Sequence, residues 1–516
     1  MRTHTRSVDT DPEKNETLDL TMMAAKDEEN AIRDRDFGSG NDLYAKLQRL
    51  AGRFGVEQRG IERVPSDERA DKGLSRVGTL WMSANLAVST FAVGAIAVPV
   101  FGLGFVDAAL VIILVTLLGV MPVCFFSTLG PVFGLRQMVL SRFYFGYYGV
   151  KLAAVLNIVS CIGWSAVNVV VAAQLMHAVN ADVPGWASIL ILGVCTLAVS
   201  MFGYRAVHVY ERWSWLPCLV VFLIVLTQFA RSGQFASLLP LSAGAAEASS
   251  VLSFASAVFG FASGWCVFAA DYTVYQPPAR SRPMVFLWTF AGMYIPLIFL
   301  ELLGAAVATA TVHNDDYRAA YESSAVGGLL AQALVPSFGR FGEFCLVVLA
   351  LSAIANNCPN IYSVSLNLQV LARRTQRVPR FVWTLLSTCA YLAIAIPGYS
   401  DFSTWLDSFL LSFSYWLAIY EAVSLSEHFV FRRGTKGYRP EDYTSPHALP
   451  PGFAAVAAFF VGVGGAILGM AQPWFVGPIA KLCGVHGGDL GFELAFILGV
   501  LSYLPLRVAE KGYFGR

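Results

Sequence analysis

From residue 77 onward the chain alternates long apolar runs with short polar breaks. Twelve runs are long enough to cross a bilayer, which takes about 20 apolar residues as a helix. They cover 79–103, 106–130, 150–177, 186–204, 215–231, 249–271, 284–311, 343–371, 381–398, 404–428, 452–471 and 490–508. The pattern predicts an all-α integral membrane protein with twelve transmembrane helices. Between the seventh and eighth runs, His313 to Arg340 reads as a polar loop. Residues 1–76 are a polar tail. Its first 40 positions read as disordered, and 42–56 as a short basic amphipathic helix on the inner face. The tail has no apolar stretch of the kind a cleavable signal needs.

Charge sets the expected orientation. The 36 Lys and Arg all avoid the centres of the runs. With the N-terminus inside, the inner loops hold fifteen of them and the outer loops four, Arg231, Arg318, Arg340 and Lys481. That bias predicts two cytoplasmic termini. The aromatic stretch Arg136–Gly149 between runs two and three is expected to lie as an interfacial helix. Net charge is +1, so nothing marks nucleic acid as a partner. The nine cysteines form no C-x-x-C pair and the seven histidines are scattered. No metal set, nucleophile–base pair or cofactor motif is visible, so no enzyme and no cofactor is expected.

Polar groups inside the runs carry the candidate chemistry. Run eight contains Asn356, Asn357, Pro359 and Asn360. Buried amides are costly without partners, so such a cluster points to helix neighbours or a polar solute in mid-membrane. Run three holds Trp164 and Asn168, four apart and so on one helix face. Run six holds Phe259-Gly260-Phe261-Ala262-Ser263-Gly264-Trp265, where a local break is expected. An indole and an amide on one face suit a flat, hydrogen-bonding heterocycle. Each feature also has a plainer reading: an interfacial tryptophan, a Gly-x-x-x-Gly packing face, an amide that joins helices. Glu301 is the acid nearest the centre of a run and the candidate for a proton-linked role, against a structural hydrogen bond. Asp271, Asp407 and Glu421 read as caps near run ends.

Several stretches together resemble the nucleobase-cation-symport-1 family, in its purine–cytosine permease branch. They include Trp81-x-Ser83-Ala84-Asn85, Phe133-Gly-Leu-Arg136-Gln137, Ser141-Arg142-Phe-Tyr-Phe-Gly146, Asp271-Tyr272-Thr273-x-Tyr275, Asn356-Asn357-x-Pro359-Asn360-x-Tyr362-Ser363 and Gly488-Asp489-x-Gly491-Phe492-Glu493. The likeness spans nearly all of 58–510, and the polar N-terminal tail resembles the fungal members more than the bacterial ones. It implies a LeuT-like five-plus-five inverted repeat with broken helices 1 and 6 and a site between them. The core would be 77–428, with two further helices in 429–508 and a cytoplasmic tail at 509–516.

The resemblance also assigns roles. Trp164 and Trp265 would stack on a base, and Asn168 and Asn360 would read its edge. Asn356 and Asn357 complete the motif, and Ser89 or Thr90 lies nearest the break in helix 1. Gly94, Gly260, Gly264 and Pro359 are the helix-break or gating positions. Sodium-coupled relatives carry a hydroxyl pair where this chain has Ile354 and Ala355, which implies protons. The expected activity is import of cytosine and purines (adenine, guanine, hypoxanthine) by proton symport at the plasma membrane. The alternatives are a vitamin transporter for pyridoxine or thiamine, and a non-transporting nutrient sensor.

Overall fold

The computed structural model describes residues 60–71, 73–201, 210, 212–237, 243–376, 378–400, 402–484 and 487–516. The expected helix at 42–56 and the side chain of Asp407 lie outside them. The apolar runs become helices because lipid leaves backbone groups no other partner than their own segment. In chain order they are α1 (Leu74–Asn85), α2 (Val88–Ala95), α3 (Phe105–Ser127), α4 (Arg142–Val179), α5 (Gly185–Met201), α6 (Trp215–Ser232) and α7 (Ala245–Ser263). A 3-10 segment, Gly264–Tyr272, follows α7. Then come α8 (Arg282–Ala308), α9 (Asp315–Phe338), α10 (Arg340–Leu371), α11 (Arg380–Gly398), α12 (Phe402–Ser426), α13 (Phe453–Gly469) and α14 (Gly491–Phe514). Each predicted run has a helix or a broken pair at its place. Among the described residues nine helices are long and apolar enough to cross a membrane, and α1 with α2, bent by 54°, would make a tenth. The apolar helices α5 and α13, 17 residues each, are short for a crossing.

Two helices are broken where small and polar residues sit. The α1–α2 bend lies at Leu86-Ala87, just ahead of Ser89 and Thr90. The α7 break lies at Ser263-Gly264, where the chain tightens into the 3-10 segment. The other proposed break positions are helical. Gly94 lies inside α2, where a Cβ would run into the backbone carbonyl of Glu301. Gly260 lies inside α7 against the Leu410 carbonyl, 2.8 Å from an ideal Cβ. Both let helices approach closely. Pro359 sits within α10, which continues through it.

The stretch expected as a polar loop is instead largely helical. Asn314 caps α9, its Oδ1 accepting from the backbone N–H of Asp316 (2.9 Å) and Tyr317 (3.2 Å). Asp315 and Asp316 in the first turn suit the helix dipole. After a kink at Ser324 and Ala325 (φ 45°), Val326–Leu330 is buried against α4. Polar residues in the first half masked this apolar second half. The aromatic stretch after Arg136 is not a surface helix either. Phe143, Tyr144 and Phe145 are buried at the start of α4, which turns at Gly146 (φ 74°).

α10 is the centre of the molecule, packed along α4 and also touching α1, α5, α9 and α11. The last helix, α14, is tied to the segment just past α12 through buried charges. Glu427 accepts from Arg507 (3.0 Å) and the Tyr503 hydroxyl (2.9 Å) and forms an ion pair with Arg432 (3.1 Å). Arg63 pairs with Glu441 at 2.8 Å, so the described N-terminal residues lie on the same face as the loop between α12 and α13.

Gly304 mirrors Gly94 at the α2–α8 crossing: its Cβ would strike the Phe91 carbonyl. Gly94→Ala and Gly304→Ala should each destabilise the detergent-solubilised protein by about 1–3 kcal/mol or more through overpacking. Gly464→Ala, with open space around the added carbon, should leave the melting temperature unchanged. Thermal melts of the three variants check this.

Candidate substrate site between the broken helices

Bending a helix in mid-membrane strips backbone groups of their partners, and side chains take their place here. The Asn85 Nδ2 donates to the Trp81 carbonyl (2.8 Å) and Thr90 Oγ1 donates to the Asn85 carbonyl (2.7 Å). From α10, Asn356 Nδ2 donates to the Ala84 carbonyl at 2.6 Å. One turn earlier, Ser352 Oγ accepts from the Val88 N–H at 3.0 Å. Ser352 and Asn356 are four apart, so one face of α10 holds both sides of the break.

The amides form a network across helices. Asn168 Nδ2 donates to Asn356 Oδ1 (2.6 Å) and Asn357 Oδ1 (2.7 Å). Asn357 Nδ2 donates to the Ser165 carbonyl (3.2 Å). Asn168 is fully buried and ties α4 to α10 instead of lining open space. Asn360 makes one long bond to the Asn356 carbonyl (3.3 Å) and borders the cavity.

That cavity lies between α4, the α7 break, α10 and α12. Its walls include Trp164, Trp265, Phe261, Phe268 and Phe413, with Asn356, Asn360 and Asn157 as amides. Trp164 meets Phe261 edge-on at 5.2 Å, and Trp265 meets Trp81 of α1 at 5.5 Å. The space enclosed holds little more than a water molecule. A flat ring enters only when these walls part. Ser89 and Thr90 are buried at the bend and do not border the cavity, whereas Gly264 does.

Beneath the cavity, toward the face with the α12–α13 loop, aromatic and guanidinium groups close the way. The Tyr362 ring, two residues past Asn360, lies between the Arg136 guanidinium (5.4 Å) and that of Arg380 (5.0 Å). All three are buried. Asp271 is not an exposed cap: its Oδ1 accepts from the Gln137 N–H (2.7 Å) and its carbonyl from Arg136 (2.9 Å). Glu301 is fully buried, accepts from Thr116 Oγ1 at 2.9 Å, and lies away from the cavity. Glu421, expected near a run end, is buried inside α12.

Comparison with known proteins fits this geometry. Residues 63–482 match the family described as permease for cytosine/purines, uracil, thiamine, allantoin. The chain belongs to this family. It is 53% identical over 509 residues to the purine-cytosine permease fcyB of Emericella nidulans, covering 98% of this chain and 99% of that one. It is 43% identical to the purine-cytosine permease FCY2 of Saccharomyces cerevisiae, over 89% of this chain and 87% of that one. A vitamin B6 transporter of that yeast, TPN1, is 30% identical over 92% and 90%. The fold matches Mhp1, a nucleobase-cation-symport-1 family transporter in a closed conformation with bromovinylhydantoin bound. The TM-score is 0.68 at 15% identity, over 89% of this chain and 96% of that one. This member of the permease family is therefore a multi-span membrane transporter, not an enzyme, with an Mhp1-like fold.

Sequence reasoning missed Asn157, Ser160 and Cys161 in the cavity wall. The signal was there: Asn157, Ser160 and Trp164 continue one face of α4 at helical spacing. The network predicts a split among the amides. Asn356→Ala, Asn168→Ala and Ser352→Ala leave buried partners unmet and should each cost about 1–3 kcal/mol of stability. Asn360→Ala removes only one long bond, so its melting temperature should stay near the wild type. Melts of the four purified variants test the division.

Proposed function

We propose that this permease imports cytosine and purine nucleobases, with adenine, guanine and hypoxanthine among them, by proton symport through alternating access. The observation that carries the reading is the cavity bordered by two indoles and the Asn360 amide. A planar base offers faces to stack on and a hydrogen-bonding edge. Its amino and carbonyl groups complement an amide that can donate and accept. The match to purine-cytosine permeases along nearly the whole chain supports the same substrate class. The vitamin reading has weaker support, from a relative at 30% identity against 53%.

Protons are favoured as the coupling ion because the α10 face beside the helix break offers no hydroxyl pair. Ile354 and Ala355 stand there, and Ser352 already serves the Val88 N–H. The Lys and Arg distribution supports a plasma-membrane orientation with both termini in the cytoplasm. In transport, the Tyr362–Arg136–Arg380 stack would part to release base inward, while the Trp164, Phe409 and Phe413 rings would part to admit it.

Uptake of labelled cytosine and adenine into cells lacking their own base transporters tests the reading. Uptake should rise as external pH falls from about 7 to about 5, collapse with a protonophore, and ignore replacement of sodium by choline. Stacking contributes about 1–3 kcal/mol per ring. Trp164→Ala and Trp265→Ala should therefore weaken apparent affinity about tenfold or more at equal surface expression. Pyridoxine uptake without base uptake would select the vitamin alternative.

A further inference from the structure

We propose that the proton driving uptake is carried by the Glu421 carboxyl, and that Cys266 links it to the substrate cavity. The inference rests on the proton-symport reading above. Phe413 and Leu417 of α12 border the cavity. Glu421 follows them at the same four-residue spacing, one turn beyond the cavity on the same helix face. Its carboxyl lies beside the Cys266 thiol. Cys266 follows Trp265 directly in the 3-10 segment, so movement of that indole around a base is felt beside the carboxyl.

Glu421 is 2% exposed, and its Oε1 has no hydrogen-bond partner. No ion pair to it is found among the described residues. Glu427, just past the end of α12, is fixed between Arg507 and Arg432. Glu301 is also buried, but it bonds to Thr116 of α3 and presses on Gly94 of α2, and neither helix borders the cavity.

The surroundings of Glu421 contain few other titratable groups. The 3-10 segment contributes Cys266. α14 contributes Glu493, across an apolar groove that Glu421 also borders. α3, α7 and α8 add to that groove only apolar side chains, such as Met121, Phe259 and Phe286. From α4, Tyr144 approaches Tyr420, the residue before Glu421. No cation lines the groove. The carboxylate takes one proton from the outer side before the base is enclosed. It returns that proton to the cytoplasm when the base leaves, and no bond of the base changes.

The test uses purified full-length protein in liposomes with an internal pH dye and labelled cytosine. In the wild type, cytosine should drive proton entry, and an inward proton gradient should concentrate cytosine. Glu421→Gln should keep cytosine counterflow but lose both proton entry and concentration, so that the inside-to-outside ratio falls to unity. Glu301→Gln should retain all three activities. Concentrative, proton-linked uptake by Glu421→Gln overturns the proposal, as does loss of coupling in Glu301→Gln alone. Should Glu421→Gln fail to fold, Cys266→Ala decides. Its pH profile of uptake should shift while counterflow at saturating cytosine is kept, and an unshifted profile overturns the link. Wild-type uptake driven by sodium, or no uptake of bases, defeats the preceding function and this inference falls with it.

Discussion

The opened backbone of the first membrane helix is the constraint on which the rest of the structure depends. Between α1 and α2 the Ala84 carbonyl and the Val88 N–H lose their helical partners at a depth where water is scarce. Each would cost about 1–3 kcal/mol if left alone. Asn356 and Ser352, one turn apart on α10, take up both. The polar face of α10 is therefore fixed against the bend, and Asn168 of α4 is drawn into the same network through Asn356 and Asn357. The candidate cavity forms where this network ends and the aromatic walls begin.

This arrangement suits a machine that rocks around a fixed centre. α2 rides on α8 through contacts that only glycine permits, at Gly94 and Gly304. The α7 break places Trp265 against Trp81, so the two broken helices touch edge to edge beside the cavity. The guanidinium–Tyr362 stack lies below the cavity, and Tyr362 is on the same helix as Asn360. A shift of α10 relative to α4 would alter the network, the cavity wall and the stack together.

Much of this was legible in the sequence because lipid punishes exceptions. Amides and glycines inside apolar runs marked runs three, six and eight, and the structure gathers Trp164, Trp265, Asn356 and Asn360 around one cavity. What stayed hidden depended on partners from distant segments. Asn168 looked like a reader of the base edge, yet its Nδ2 is taken by two other asparagines and the side chain does not border the cavity. The bend at Leu86-Ala87 carries no glycine or proline to announce it; its partners arrive from residues 352 and 356. The apolar half of α9 was averaged away by its charged first turns. Glu421 resembled a cap only because residues 404–428 were read as a run ending just beyond it.

A structure of the protein with cytosine or adenine bound tests the central claim most directly. The base should lie with its faces toward the Trp164 and Trp265 indoles and its polar edge within hydrogen-bonding distance of the Asn360 amide. The bonds from Asn356 to Ala84 and from Ser352 to Val88 should remain intact beside it. A base seated elsewhere, or one that displaces Asn356 from the helix break while leaving both indoles free, would contradict the account.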